Sequence, residues 1–191
     1  FAPVAFEQPI GDGPGAVPPV RLKTPDGHEI RVVGTIDRVD AYRRGDTTWL
    51  RVVDYKTGTK SFKLEEVYCG LDCQMLLYLF TLTRNGKKQF ENPAAAGVMY
   101  LMADPSPTLQ DRKEAAQEKA YALDGLLIDD SSVVHAMDQN CTGLFVPVSF
   151  KKDGSLGSSK KLADAAKMGR ICRRIDQLVV DMAAQLYKGQ I

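Results

Sequence analysis

The chain has 191 residues, 44% of them hydrophobic and 26% charged, with a formal net charge of +1. That suits one globular domain with its own core. It provides no overall field toward nucleic acid, so any such contact must come from a local patch. No apolar run reaches the roughly 18–20 residues that span a bilayer, and no signal peptide is visible. The expectation is a cytoplasmic protein without membrane contact.

The chain opens Phe1-Ala2-Pro3 rather than with methionine, so 1–191 is expected to be a single domain cut from a longer polypeptide. Residues 1–19 read as a loop-rich lead-in, with Gly and Pro crowding "PIGDGPGAVPP". "VRLKT" and "HEIRVVGTIDRVDAY" flank the turn tripeptide Pro25-Asp26-Gly27, which predicts a hairpin. "TTWLRVVDYK" is a further strand. "LDCQMLLYLFTLTRNG" is a helix, with Asp72 as N-cap and Asn85-Gly86 as its stop. "AAAGVMYLMA" fits a buried strand that "DPSP" ends. Residues 111–124 read as a solvated helix, and "DDSSVVHAMD" as another short one. "GLFVPVSF" followed by "KKDGS" suggests a strand and a turn. A long C-terminal helix is expected over 159–188, with Ile171, Ile175, Leu178, Val179 and Met182 recurring at 3–4 spacing. This order is that of an α/β or α+β domain.

Cys69, Cys73, Cys141 and Cys172 form no CxxC pair. Reduced thiols are the expected state in a chain too large to need disulfide staples. Cys69 and Cys73 lie one helical turn apart if the helix starts early, which leaves a weakly signalled metal site open.

Two strands carry acids where apolar residues should continue: "GTIDRVD" and "VVDYKTG". A two-residue loop at Gly45-Asp46 joins them naturally, because glycine supplies the positive φ of a tight hairpin. That register pairs Arg44 with Thr47, Tyr42 with Trp49, Asp40 with Arg51 and Val39 with Val52. Each such pair contributes about 0.2–1 kcal/mol. Continued inward, the count sets Asp37 opposite Asp54, and alternation puts Lys56 on the same face beside apolar Val39, Ala41, Leu50 and Val52. Opposed like charges destabilise a sheet, and a hard divalent cation converts the repulsion into a binding site. The same cluster also reads as a half-buried structural ion pair. On the following helix, Gln74, Tyr78 and Thr81 form one polar stripe on an apolar rod. It faces either a polar site or hydrogen-bond partners within the core.

Together "GTIDRVD", "VVDYKTG" and "QMLLY" resemble the nuclease motifs of the PD-(D/E)XK superfamily, RecB-like branch. "NPAAAGVMYLMADP", "GLLIDDSSVVHAMD" and "AAQLYKG" extend the likeness toward the nuclease domains of AddB-type helicase–nucleases. The resemblance covers most of the chain from about residue 20. It implies an α/β, restriction-endonuclease-like mixed sheet flanked by helices, and Mg²⁺- or Mn²⁺-dependent cutting of DNA, exonucleolytic in mode, during double-strand-break repair. The partners it implies are DNA and an AddA-type helicase–nuclease subunit. Carried over, Asp37 and Asp54 are metal ligands, with the Tyr55 carbonyl a third. Lys56 orients or activates the attacking water. Gln74 and Tyr78 support the site and contact DNA. Arg38 and Lys60 are further candidate DNA contacts, and Arg43, Arg44, Lys63, Lys87 and Lys88 are a local basic supply.

The resemblance also brings departures. The family's upstream helix, whose His or acid completes the metal shell, has no counterpart, and His28 sits in a turn elsewhere. The cysteines match neither cysteine position of the AddB branch, so no iron–sulfur cluster is expected in this stretch. Two alternatives stand beside the nuclease reading. One is a non-catalytic DNA-guiding scaffold that retains the fold; the other is a different RecB-like exonuclease.

Overall fold

The bend at Gly45, with φ 63°, joins β4 (Gly34–Arg44) to β5 (Thr47–Thr57). The antiparallel register runs from Arg44↔Thr47 through Tyr42↔Trp49, Asp40↔Arg51 and Val39↔Val52 to Arg38↔Val53, as expected up to that point; the expected Asp37–Asp54 pair is not part of the ladder. The structure is a computed structural model and describes residues 1–57, 60–103, 123–140, 142–143 and 145–190. The "DPSP" stop, most of the helix expected at 111–124, and Cys141 lie outside the described residues.

Further strands extend this pair into a six-stranded mixed sheet of order β1-β4-β5-β6-β7-β8. β6 (Pro93–Ala103) runs parallel to β5 after the helical crossover, as parallel neighbours require. β7 (Leu123–Ile128) is antiparallel to β6, and β8 (Leu162–Ala163) parallel to β7. Leu123 and Asp124, expected in a helix, instead open β7. The hairpin around Pro25-Asp26-Gly27 forms as read, β2 (Arg21–Lys23) pairing β3 (Glu29–Arg31), but as a separate two-stranded sheet.

The lead-in is not all loop. Ala2–Ile10 is β1, paired antiparallel to β4. Pro3 and Pro9 argue against a strand in sequence, but an edge strand tolerates the missing donors. The ladder shifts register between Pro3 and Ala5 to absorb one of them.

Alternation divides the core between the two faces. On one, Val39, Leu50, Val52, Ala96, Val98, Tyr100 and Leu126 pack under α1 (Leu64–Tyr68), α2 (Gln74–Asn85) and α4 (Ala165–Tyr187). On the other, Met99 and Leu127 pack with Val134 of α3 (Ser131–His135) and with Val146, Val148 and Leu162.

Four local readings differ from expectation. Asp72 is not the N-cap of α2: that position is Cys73, and Asp72 has φ 52° with its carboxylate 2.6 Å from Lys60 Nζ. Cys69 ends α1 and Cys73 precedes α2, with Gly70 at φ 89° between them, so the two thiols share no helical turn. The described residues of "GLFVPVSF" contribute bends and the bridge Phe150↔Leu156 rather than a strand. The last helix begins at Ala165, because Leu162–Ala163 joins the sheet and the Asp164 side chain then caps the helix by accepting from the Lys167 N–H. Asn85 ends α2 as expected. Among the described residues no helix is long and apolar enough to cross a membrane.

Candidate active site

Asp37 lies just past the end of the β4–β5 ladder and at a skipped pair of the β1–β4 ladder. The β4–β5 ladder ends at Arg38↔Val53, one pair short of Asp37 and Asp54. On the β1 side, Glu7 would meet Asp37 by count; it has φ 48° and makes no ladder pair. Released from pairing, the Asp37 carboxylate accepts from the Tyr55 backbone N–H at 3.1 Å, where a strand partner's carbonyl would otherwise serve.

Asp54 follows on β5 with a side chain only 16% exposed, and its Oδ2 is 2.6 Å from Lys56 Nζ. That contact is poorly aligned for a hydrogen bond, so the buried Oδ2 has no hydrogen-bond partner among the described residues. A carboxylate oxygen shut off from water and held by one misaligned cation is costly. It is the kind of atom a second cation satisfies.

The register extends this acid across three strands. Asp54 pairs with Tyr100 on β6, and Tyr100 with Asp124 on β7. Tyr100 is 3% exposed. Lys56 and Lys60 each place Nζ 5.9 Å from its ring centroid, within cation–π reach. Burial first, then the Asp72, Asp54 and Asp124 carboxylates, push the Tyr100 phenol up to about 12. Asp124 in turn accepts from the Phe62 N–H at 3.0 Å and is paired with Lys161, which fixes the segment leaving β5. The site's floor is thus a row of side chains on β5, β6 and β7, with Lys56 and Lys60 above it.

The polar stripe of α2 is resolved in three ways. Gln74 is exposed and donates to the Tyr78 hydroxyl at 3.0 Å. Tyr78 is nearly buried, and its hydroxyl lies against Gly34 at the start of β4: a Cβ there would sit 2.3 Å away. Thr81 only returns a bond to the Leu77 carbonyl. Among the described residues no hydrogen bond or ion pair joins Gln74 or Tyr78 to Asp37, Asp54 or Lys56. Arg38 faces away from the acids, as alternation requires. It makes a two-armed pair with fully buried Asp40, at 2.6 and 3.1 Å, and reaches the Tyr55 hydroxyl at 3.4 Å.

Comparison with known proteins decides the family. The PD-(D/E)XK nuclease superfamily profile matches residues 1–189. The chain belongs to the PD-(D/E)XK nuclease superfamily. Relatives named as subunits of an ATP-dependent helicase/deoxyribonuclease match over 17% of their own length and over 100% of this chain. They include those of Thermoanaerobacter sp. (strain X514), 32% identical, and Ruminiclostridium cellulolyticum, 36% identical. The one from Acetivibrio thermocellus is 33% identical with the same coverage. The chain therefore spans about a sixth of the length of these curated relatives.

Nucleases of this superfamily generally use divalent metal ions. The donor set fits one. Asp37 has one oxygen engaged by Tyr55 N–H, and Asp54 has a buried oxygen without a hydrogen bond. Two carboxylates and a backbone carbonyl are hard oxygen donors suited to Mg²⁺ or Mn²⁺ with water completing the shell. Among the described residues no three His, Cys, Asp or Glu side chains come together. His28 stacks on Tyr187, with ring centroids 4.0 Å apart.

The basic supply is scattered rather than gathered. Arg43 pairs with Glu91 and Arg44 with Asp130. Both sit at the turn end of the hairpin, while the acids lie six or seven residues further along the strands, about 20 Å away. Lys87 and Lys88 lead into the start of β6 at that same turn end. Lys60 is near the acids but is held by Asp72. Sequence reading missed Tyr100 and Asp124. A lone tyrosine inside "GVMYLM" was the available signal for the first. Asp124 looked like part of a solvated helix.

Proposed function

We propose that this chain is the nuclease domain of an AddB-type helicase–nuclease. It hydrolyses DNA phosphodiester bonds exonucleolytically, in the cytoplasm, alongside an AddA-type partner that feeds it strand during double-strand-break repair. Residues 1–191 act as one unit in this reading. The observation that carries it is the buried, hydrogen-bond-free Asp54 Oδ2 beside Lys56 Nζ, in a chain whose full length matches relatives named as deoxyribonuclease subunits.

Asp37, Asp54 and the Tyr55 carbonyl would hold Mg²⁺ or Mn²⁺, which would supply charge neutralisation and acidify a water. Lys56 brings fixed positive charge to the phosphate where charge builds in the transition state. Its contact with Asp54 and the face of Tyr100 limit its freedom, so little reorganisation accompanies reaction. Tyr100 stays a neutral phenol at working pH, leaving the site's negative charge to the carboxylates. Gln74 and Tyr78 flank the strand as it enters, and Lys60 and Arg38 are lesser DNA contacts.

A second reading, a DNA-guiding scaffold without catalysis, is favoured by the absence of a third His, Cys, Asp or Glu side chain at the pair among the described residues. Strand cutting by the full-length protein with its partner separates the two. Asp54→Ala and Lys56→Ala each lower the rate about 100-fold or more in the catalytic reading; unchanged cutting by both discards it.

A further inference from the structure

A second basic feature lies beside the acids, away from the motif residues. Lys63, Lys160, Lys161 and Lys167 line a cavity of about 400 Å³ over Phe62 and Leu64, with Glu65 the one acid on its wall. Two of the four lysines are engaged with carboxylates: Lys63 with Glu66 at 2.8 Å, and Lys161 with Asp124. The other two are not. Lys167 Nζ donates to the Leu162 carbonyl at 3.0 Å, and neither it nor Lys160 has an acidic partner among the described residues. Lys167 also stands in the first turn of α4, where the helix dipole disfavours a cation. Unneutralised ammonium groups converging on a concave site repel one another unless an anion joins them.

The cavity's position identifies that anion. Lys161 is bonded to Asp124 and to the Phe62 carbonyl, and Asp124 pairs with Tyr100, which pairs with Asp54. Two strand spacings, about 10 Å, therefore separate the Asp124 backbone from that of Asp54. A nucleic-acid strand with one phosphate at Asp37 and Asp54 therefore needs only its next one or two phosphates to reach the cavity.

We propose that Lys160 and Lys167, backed by Lys161, bind a backbone phosphate of single-stranded DNA adjacent to the one being cut. This rests on the nuclease reading. It adds a subsite that sets strand register and tightens binding without touching the reacting atoms.

Equilibrium binding of a short single-stranded oligonucleotide to the full-length protein in EDTA, across a salt series, tests it. Single-strand contacts contribute about 0.7 per phosphate to the slope of log K against log salt. Lys160→Ala/Lys167→Ala lowers the slope by about 0.7 and weakens low-salt binding about 10-fold, whereas Lys160→Arg/Lys167→Arg restores both. A neutral methylphosphonate scanned along the oligonucleotide weakens wild type at one or two positions near the cut and leaves the double Ala variant indifferent there. Lys160→Gln alone, at an exposed side chain, gives a smaller shift in the same direction should the double variant misfold. An unchanged slope in both overturns the proposal. So does inorganic phosphate occupying the pocket while oligonucleotide affinity stays the same, which makes it a site for free anions. Cutting is scored separately. Asp54→Asn still cutting with a lowered slope in the lysine variants sinks the nuclease reading alone; an inactive Asp54→Asn with an unchanged slope sinks the subsite alone.

Discussion

Gly34→Ala puts a methyl group where α2 meets β4. The new Cβ would lie 2.3 Å from the Tyr78 hydroxyl oxygen, 3.0 Å from Cζ and 3.1 Å from Cε1. Tyr78 cannot swing aside freely, because Met75, Leu79 and Leu82 anchor the helix in the core around it. Overpacking of this kind costs about 1–3 kcal/mol, and displacing the hydroxyl from Gln74 adds about 0.5–1.5 kcal/mol. The reduced freedom of the unfolded chain returns about 0.4–1 kcal/mol. The net is a loss of about 2 kcal/mol, a drop in Tm of about 4–8 °C for a chain of this size. Urea unfolding of wild type, Gly34→Ala, Tyr78→Phe and the double variant forms the assay. Removing the hydroxyl relieves the closest contact, so Gly34→Ala costs at least about 1 kcal/mol less in the Phe background. Equal costs in both backgrounds, or a loss under about 0.5 kcal/mol, refute the packing of Tyr78 against this strand and its place at the site's edge.

Other outcomes follow from the same geometry. Asp40 is fully buried between Arg38 and Arg51, each at 2.6 Å, so Asp40→Ala strands two cations and costs about 3–5 kcal/mol in urea unfolding. Tyr100 is a phenol raised from 10.0 to about 12. Its contribution to stability is complete below pH 10 and is lost as pH climbs through 12; absorbance titration should show a late tyrosinate step that Tyr100→Phe removes. Mg²⁺ at about ten times its Kd stabilises the wild type by about 1.4 kcal/mol, and Asp54→Asn should lose that gain in thermal unfolding.

How far the sequence was legible depends on where short-range rules apply. The Gly45 bend and the alternation beyond it set the β4–β5 register, because each cross-strand pair is a local choice. The same rule failed at Asp37, where an irregular Glu7 on a distant strand and a side-chain bond to Tyr55 end the ladder early. β1 was hidden by its prolines, which only an edge position permits. β7 was hidden because Leu123–Ile128 follows a charged stretch and owes its strand form to pairing with β6. Asp72 resembled an N-cap by position, yet its long-range pairing with Lys60 turned it away from the helix. Tyr100 and Asp124 reach the site only through the order of the sheet, which no local pattern encodes.

The central claim is that Asp37 and Asp54 share a divalent cation. Mn²⁺ binding to the metal-free protein, followed by electron paramagnetic resonance, tests it without requiring turnover. The expected result is that Asp37→Asn and Asp54→Asn each weaken Mn²⁺ binding about 10-fold or more, the loss of one charged ligand, while Asp46→Asn in the hairpin turn leaves it unchanged. Wild-type Mn²⁺ affinity in both acid variants would contradict it.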